Sequence, residues 1–250
     1  MRSSRMFSAS IAIVFALLLP SSTPATAQGL VSTKQELDAG RQADAEIVKK
    51  YKISRDSYYN GIVSHLGKRL VKVSERSNID WTFRVIDSKD LNAFSVPGYV
   101  YVNTATIDSA GEDQDELAGV IAHEIGHTTG RHAAKQMEKS AIGGLLVGLL
   151  GGRNSSVQGL ASVAANLVML GYSRDDENDA DKRAVRYLVR AGYDPNGLVR
   201  FFEMLQAKGD KSSAGIASYL RTHPPTPDRI KRVKQNIEKE RASEGDDSRE

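Results

Sequence analysis

Cysteine is absent from all 250 residues. That excludes disulfide bracing in an oxidising compartment and lipid attachment through an N-terminal cysteine. The chain also lacks an apolar run of the about 20 residues a membrane-spanning helix needs, since Ile11 to Leu19 falls well short. That run follows Arg2 and Arg5 and precedes the small residues Ala25-Thr26-Ala27, the order of a secretory signal peptide over 1–27 cleaved before Gln28. An uncleaved anchor is the alternative. Export is therefore expected, to the periplasm or, alternatively, into the medium. Charge of one sign is lacking too. The formal net charge is +3 and the sequence pI near 9.0, but Arg2 and Arg5 are the only charged residues before Gln28, so the mature chain carries +1. Its basic residues are scattered among acidic ones, which argues against a nucleic-acid partner. The stretch around Arg229, Lys231, Arg232 and Lys234 reads as a solvated helix face. No internal repeat is recognisable.

What the chain does contain is His123-Glu124-Ile125-Gly126-His127. With five histidines in 250 residues, this pattern arises by chance in about half a percent of such chains. On a helix, positions four apart lie one above the other, so both imidazoles reach one metal ion from one face. Glu124 points nearby without being a ligand, where it can take a proton from an attacking water and return it to a leaving amine. Leu117, Val120, Ile121 and Ile125 recur at helical spacing, and Asp113, Asp115 and Glu116 supply an acidic first turn.

Two schemes compete for a third ligand. In one, a third histidine follows on the same segment, but Ala133 stands where that spacing requires it and His132 comes one residue early. In the other, a glutamate comes from a second helix. The segment Ser173 to Asp181 is the richest carboxylate cluster, and its only glutamate is Glu177. Asp181, one turn on, can hold the free N–H of a ligand histidine. Asp175, Asp176 and Asp179 read as a solvated acidic helix start. His132 suits packing or a supporting hydrogen bond better than ligation.

At this point the chain resembles the gluzincin-type zinc peptidases, a family that includes the CAAX prenyl endopeptidases, HtpX and BepA. The matching pieces are Asn92 to Gly98, His123 to His127 continuing to Arg131-His132, Tyr172-Ser173-Arg174 leading into Glu177 and Asp181, Ala191 to Pro195, and Thr222-His223-Pro224-Pro225. The resemblance implies a zincin-like endopeptidase with one zinc per chain. His123, His127 and Glu177 would bind the metal, Glu124 would be the general base, and Asp181 would orient a histidine. It also places His223 in the site, where a rigid turn would aim it either at a developing oxyanion or at the open coordination position, keeping the enzyme off. Protein or peptide substrates follow, misfolded envelope proteins among them. Arg174 and Tyr172 precede the Glu177 helix and read as cleft-lining, or equally, for Arg174, as a structural partner of nearby acids; neither is assigned a catalytic role.

Along the mature chain, Thr33-Lys34-Gln35-Glu36 has capping-box spacing before a helix to about Tyr51. A second helix, about 57–74, carries Ile62, Leu66, Leu70 and Val73 on one face and leaves His65 exposed. Trp81, Phe83 and Val85 alternate with Thr82, Arg84 and Ile86, the pattern of a strand. Tyr99-Val100-Tyr101-Val102 is a second strand, which reads either as a core strand or as an edge that pairs with extended substrate, making Tyr99, Val100 and Tyr101 substrate-binding. The glycine-rich apolar stretch 141–152 is too short to span a bilayer. It reads equally as a mobile lid or peripheral membrane contact, or as a buried helix connection. The expected fold is α+β and mostly helical, with a small sheet and the metal helix inside one peptidase domain over 28–240. A charged, disordered tail is expected at 241–250. The competing readings are a zinc-containing chaperone or binding module and a metal hydrolase with a non-peptide substrate.

Overall fold

The computed structural model describes residues 30–140, 171–209 and 214–247. The expected signal peptide and the glycine-rich stretch 141–152 lie outside the described residues. Helix α1 spans Thr33–Lys50. Its capping box is one residue earlier than expected: the Ser32 hydroxyl accepts from the Gln35 N–H, and the Gln35 side chain accepts from the Ser32 N–H at 2.9 Å. Glu36, the alternative box residue, is fully buried and its carboxylate is taken by Arg76 and Arg131. Helix α2 spans Ser57–Lys72 behind the cap Asp56, and buries Val63, Leu66, Gly67, Leu70 and Val71. His65 is exposed.

Three strands follow, β1 Thr82–Ile86, β2 Ala93–Val96 and β3 Tyr99–Asn103, in the order β1-β3-β2. A Pro97-Gly98 turn joins β2 to its antiparallel partner β3, with Gly98 at a φ of 84° that favours glycine. β1 pairs with β3 in parallel, placing Phe83 opposite Val100. This corrects the edge-strand reading. β3 has a neighbour on each side and Val100, Tyr101 and Val102 are fully buried, so Tyr99, Val100 and Tyr101 offer no free backbone edge to a substrate. The earlier strand β1 occupies the edge that adjacency in sequence left open.

Helix α3 covers Thr104–Ala110 and α4 covers Gln114–Thr129. A further helix occupies 132–140. Helices α5 Arg174–Arg190, α6 Asn196–Gly209, α7 Ala217–Thr222 and α8 Pro227–Asp247 complete the described part, with a short 3-10 turn at Ala214–Ile216. The architecture is α+β and mostly helical. Every residue of α4 from Glu116 to Thr129 is buried, because α2, α5, α6 and the sheet all pack on it. Such a helix has no solvent face, which is why polar residues on it need partners.

Two expectations about the C-terminus change. Residues 241–247 are not a disordered tail, for α8 runs through Asp247 and Arg241 lies 3.2 Å from Asp194. The Glu, Lys, Arg and Ala residues around 238–242 are strong helix formers and extend it. The basic face of α8 is solvated at Lys231, Arg232 and Lys234 but not at Arg229, which is 3% exposed.

Candidate metal centre

His123 and His127 sit one turn apart on α4 with their Nε2 atoms 3.0 Å from each other. Helix α5 is started by a capping box in which the Ser173 hydroxyl accepts from the Asp176 N–H and the Asp176 carboxylate accepts from the Ser173 N–H. It lies against α4 where Gly126 meets Ala180. A Cβ built at 126 would fall 2.7 Å from the Ala180 carbonyl oxygen. That close approach brings Glu177 and Asp181, which flank Ala180, onto the histidines. Glu177 Oε2 lies 3.5 Å from His123 Nε2, and its Oε1 lies 3.4 Å from His127 Nε2. His223, at the end of α7, places Nδ1 at 2.9 Å from Glu177 Oε1 and 3.4 Å from His123 Nε2. One donor atom from each of these four buried residues lies within 4.8 Å of all the others.

The donor set fits zinc. Tetrahedral bonds of about 2.0–2.1 Å put ligand atoms about 3.3 Å apart, and the separations above straddle that value. Imidazole nitrogens with one carboxylate are the expected donors. Glu124 is fully buried beside them, and its Oε1 has no hydrogen-bond partner. Its other oxygen, Oε2, accepts from the Ser95 hydroxyl of β2 at 3.1 Å.

A second ring of contacts holds these groups. Asp181 Oδ1 is 2.9 Å from His123 Nδ1. The Arg229 guanidinium donates to both oxygens of Asp181, at 2.6 and 2.9 Å, contacts Glu177 Oε2 at 2.7 Å, and lies over the Phe202 ring at 4.4 Å. His132 faces His127 through their Nδ1 atoms at 2.9 Å, and its Nε2 meets Asp179 at 3.1 Å. Asp179 is thus a partner of His132 as well as of Arg183. The Tyr172 ring stacks on His127 with centroids 3.9 Å apart.

The charges follow from burial and these partners. Burial and Arg229 oppose a positive His123, but its bonds to Asp181 and Glu177 outweigh them and raise its pKa to about 9. Burial holds His127 well below the ordinary imidazole value. Burial alone would raise Glu177, yet His223 and Arg229 hold it well below the carboxylate range. Asp181 is likewise lowered, with Arg229 overcoming its burial.

Sequence reasoning found His123, Glu124, His127, Glu177, Asp181, His132 and His223, and all seven converge here. It missed Arg229 and Ser95. Arg229 had a legible signal: it lies in helical register with the buried Val233 and Ile237, four and eight residues on. Ser95 had none, since a single serine in a strand says nothing of its partner.

Two histidines on one helix, a glutamate from a second and a buried carboxylate with one oxygen free of hydrogen bonds make up a zincin-type centre. Residues 57–237 match the model of peptidase family M48, and the chain belongs to that family. Among curated proteins, it is similar to the beta-barrel assembly-enhancing protease of Escherichia coli K12, 27% identical over 214 residues, which cover 80% of this chain and 43% of that protein. It is also similar to the mitochondrial metalloendopeptidase OMA1 of Schizosaccharomyces pombe, 29% identical over 175 residues, covering 69% of this chain and 51% of the relative. The metalloprotease YcaL of Escherichia coli K12 is 29% identical over 191 residues, covering 70% of this chain and 71% of the relative. The chain thus spans less than half the length of the beta-barrel assembly-enhancing protease.

Proposed function

We propose that His123, His127 and Glu177 hold one zinc ion per chain, with Glu124 as the general base of peptide hydrolysis. The carrying observation is the convergence of those donor atoms, from two helices, beside a buried carboxylate oxygen that has no hydrogen bond. Zinc bound there supplies polarisation of a substrate carbonyl and lowers the pKa of water towards about 7. Glu124 Oε1 takes the proton of the attacking water and returns it to the leaving amine, while Ser95 fixes the carboxylate through Oε2. Asp181 accepts from His123 Nδ1 and leaves Nε2 for the metal. His132 does the same for His127 through Nδ1. Arg229 steadies both carboxylates of α5 and compensates their burial.

Zinc analysis beside casein cleavage tests this. Glu124→Gln is expected to keep its zinc and to lose cleavage by about 10²–10⁴-fold. Cleavage at the wild-type rate would remove Glu124 as the base. Chelator-sensitive cleavage of casein also disfavours a non-peptide substrate.

A second reading, a zinc protein whose proteolysis is latent, is supported by His223. Its Nδ1 stands at ligand distance from His123 Nε2 and Glu177, which is the place of a fourth ligand and would close the open position. On this reading His223→Ala raises activity. Lower activity with zinc retained would favour oxyanion assistance instead.

We further propose that residues 1–27 are a cleaved signal peptide, that the peptidase domain begins at Gln28, and that the protein works in the periplasm on envelope proteins, misfolded ones included. The leader pattern and the likeness to a beta-barrel assembly-enhancing protease support this. Among the described residues, no helix is long and apolar enough to cross a membrane. Fractionation with N-terminal sequencing tests it, and a cytoplasmic chain that still begins at Met1 would overturn it.

A further inference from the structure

A cavity of about 400 Å³ opens beside the metal centre. Glu177 and Tyr172 form the wall it shares with the centre, Arg174 and Asn178 add the start of α5, and Asp228 and Arg232 add α8. We propose that this cavity is a substrate subsite for a carboxylate close to the scissile bond, so that the peptidase favours an acidic residue there. The inference rests on the peptidase reading above.

The argument starts from where the guanidinium groups go. Arg229, also in the cavity wall, is engaged by Asp181 and Glu177. Elsewhere Arg76, Arg84, Arg183, Arg186 and Arg200 all reach carboxylates. Arg174 and Arg232 are exposed and form no ion pair or hydrogen bond among the described residues. They are contributed by two different helices to the same cavity. With Glu177 and Arg229 offsetting each other, Asp228 is the one anion left against these two cations, so the lining carries a net positive charge. A planar guanidinium takes a carboxylate through two parallel N–H donors, and the Asn178 amide adds a neutral donor. The volume lies within the range of small ligand pockets and admits an Asp or Glu side chain. Because Glu177 belongs to both the centre and the cavity wall, the occupant must lie next to the bond being cut. The carboxylate can come from an acidic side chain or from the substrate's own C-terminus.

Three peptides of one scaffold, with Glu, Gln or Lys on both sides of a central bond, test this with the zinc-loaded protein. The Glu peptide is expected to be cut with a kcat/KM about tenfold above the Gln peptide, equivalent to about 1.4 kcal/mol. The Lys peptide should be slowest. The double variant Arg174→Ala and Arg232→Ala should bring the Glu peptide down to the level of the Gln peptide. A fourth peptide, with Gln at both positions and a free carboxyl terminus one residue past the bond, is compared with its amide. Preference for the free acid alone assigns the subsite to a chain end. Equal rates for Glu and Gln with no effect of the free acid, or a Glu preference that survives the double variant, would overturn the proposal. Binding of the same peptides to Glu124→Gln, read by fluorescence anisotropy, separates this from the peptidase reading. Tighter binding of Glu than Gln with no cleavage by the wild type leaves the subsite standing and removes hydrolysis. Cleavage without any carboxylate preference removes the subsite alone.

Discussion

Two buried clusters of carboxylate and guanidinium flank the metal helix, and they differ in what is left over. At the C-terminal end of α4, Glu36 of α1 is fully buried and both its oxygens are used: Arg76 donates to each, at 2.8 and 3.1 Å, and Arg131 donates to Oε2 at 3.0 Å. Arg76 also donates to the Thr128 carbonyl at 2.8 Å, one of the last of the helix. That cluster is closed. It ties α1 to the end of α4 and satisfies every acceptor it buries, the condition for a buried ion pair to be tolerated. At the metal centre, Glu177 and Asp181 crowd around Arg229, yet Glu124 Oε1 close by has no hydrogen bond and several ligand atoms face one another. Beside a set of metal donors, a buried carboxylate oxygen without a hydrogen bond fits a group kept free for chemistry. The same chemistry is structural where it is complete and functional where it is not.

The comparison can be broken at either end. Glu36→Gln leaves two arginines without their anion, so it is expected to destabilise by about 3–5 kcal/mol, read as a lowered melting temperature, while zinc content per folded chain stays at the wild-type value. Loss of zinc without loss of stability would mean that the Glu36 cluster belongs to the centre. Gly126→Ala attacks the seam between α4 and α5. Overpacking of about 1–3 kcal/mol is expected together with weaker zinc binding, because the displaced helix carries Glu177 and Asp181. If zinc affinity is unchanged, the seam does not set the ligand spacing.

Arg229→Lys keeps a charge but not the two-pronged contact with Asp181, so zinc affinity is expected to fall by about 10–100-fold in a chelator competition. The smallest effect belongs to an exposed contrast. Arg200 pairs with Asp113 at 2.8 Å and Asp194 at 2.9 Å, tying the cap of α4 to the loop before α6. Hydrogen bonding to Arg200 lowers the pKa of Asp113, and Asp194 is lowered despite partial burial, again by Arg200. A lowered folded pKa means that this stability is present above the unfolded value of about 3.9 and is lost as pH falls through the folded value. Arg200→Ala should therefore cost at most about 1 kcal/mol at pH 7, and the difference from wild type should shrink below about pH 4.

Much of the centre was legible because its parts obey local rules. His123 and His127 share a helix face, as do Glu177 and Asp181, and the four-residue spacing alone aligns each pair. Asp113 and the acidic turn announced the start of α4. Legibility failed wherever the partner was distant. The position of β3 between β1 and β2 depends on a parallel pairing that joins segments separated by β2, and no alternation pattern encodes it. Arg229 looked like one of four solvated basic residues, although its register with Val233 marked the buried side. The shift of the capping box from Thr33 to Ser32 depended on Glu36 being claimed by arginines from elsewhere in the fold.

The sequence by itself determined the metal-binding chemistry, the mostly helical class and the residues that would have to meet. Spacing along a helix is a local property, and donor types follow from residue identity. Only the tertiary structure decided how they meet: Gly126 against Ala180 sets the distance between the two ligand helices, Arg229 compensates the carboxylates brought inside, and His223 closes on the ligand atoms from a third. These depend on close packing and on the cost of burying unpaired charge, both of which exist only when remote segments share one interior.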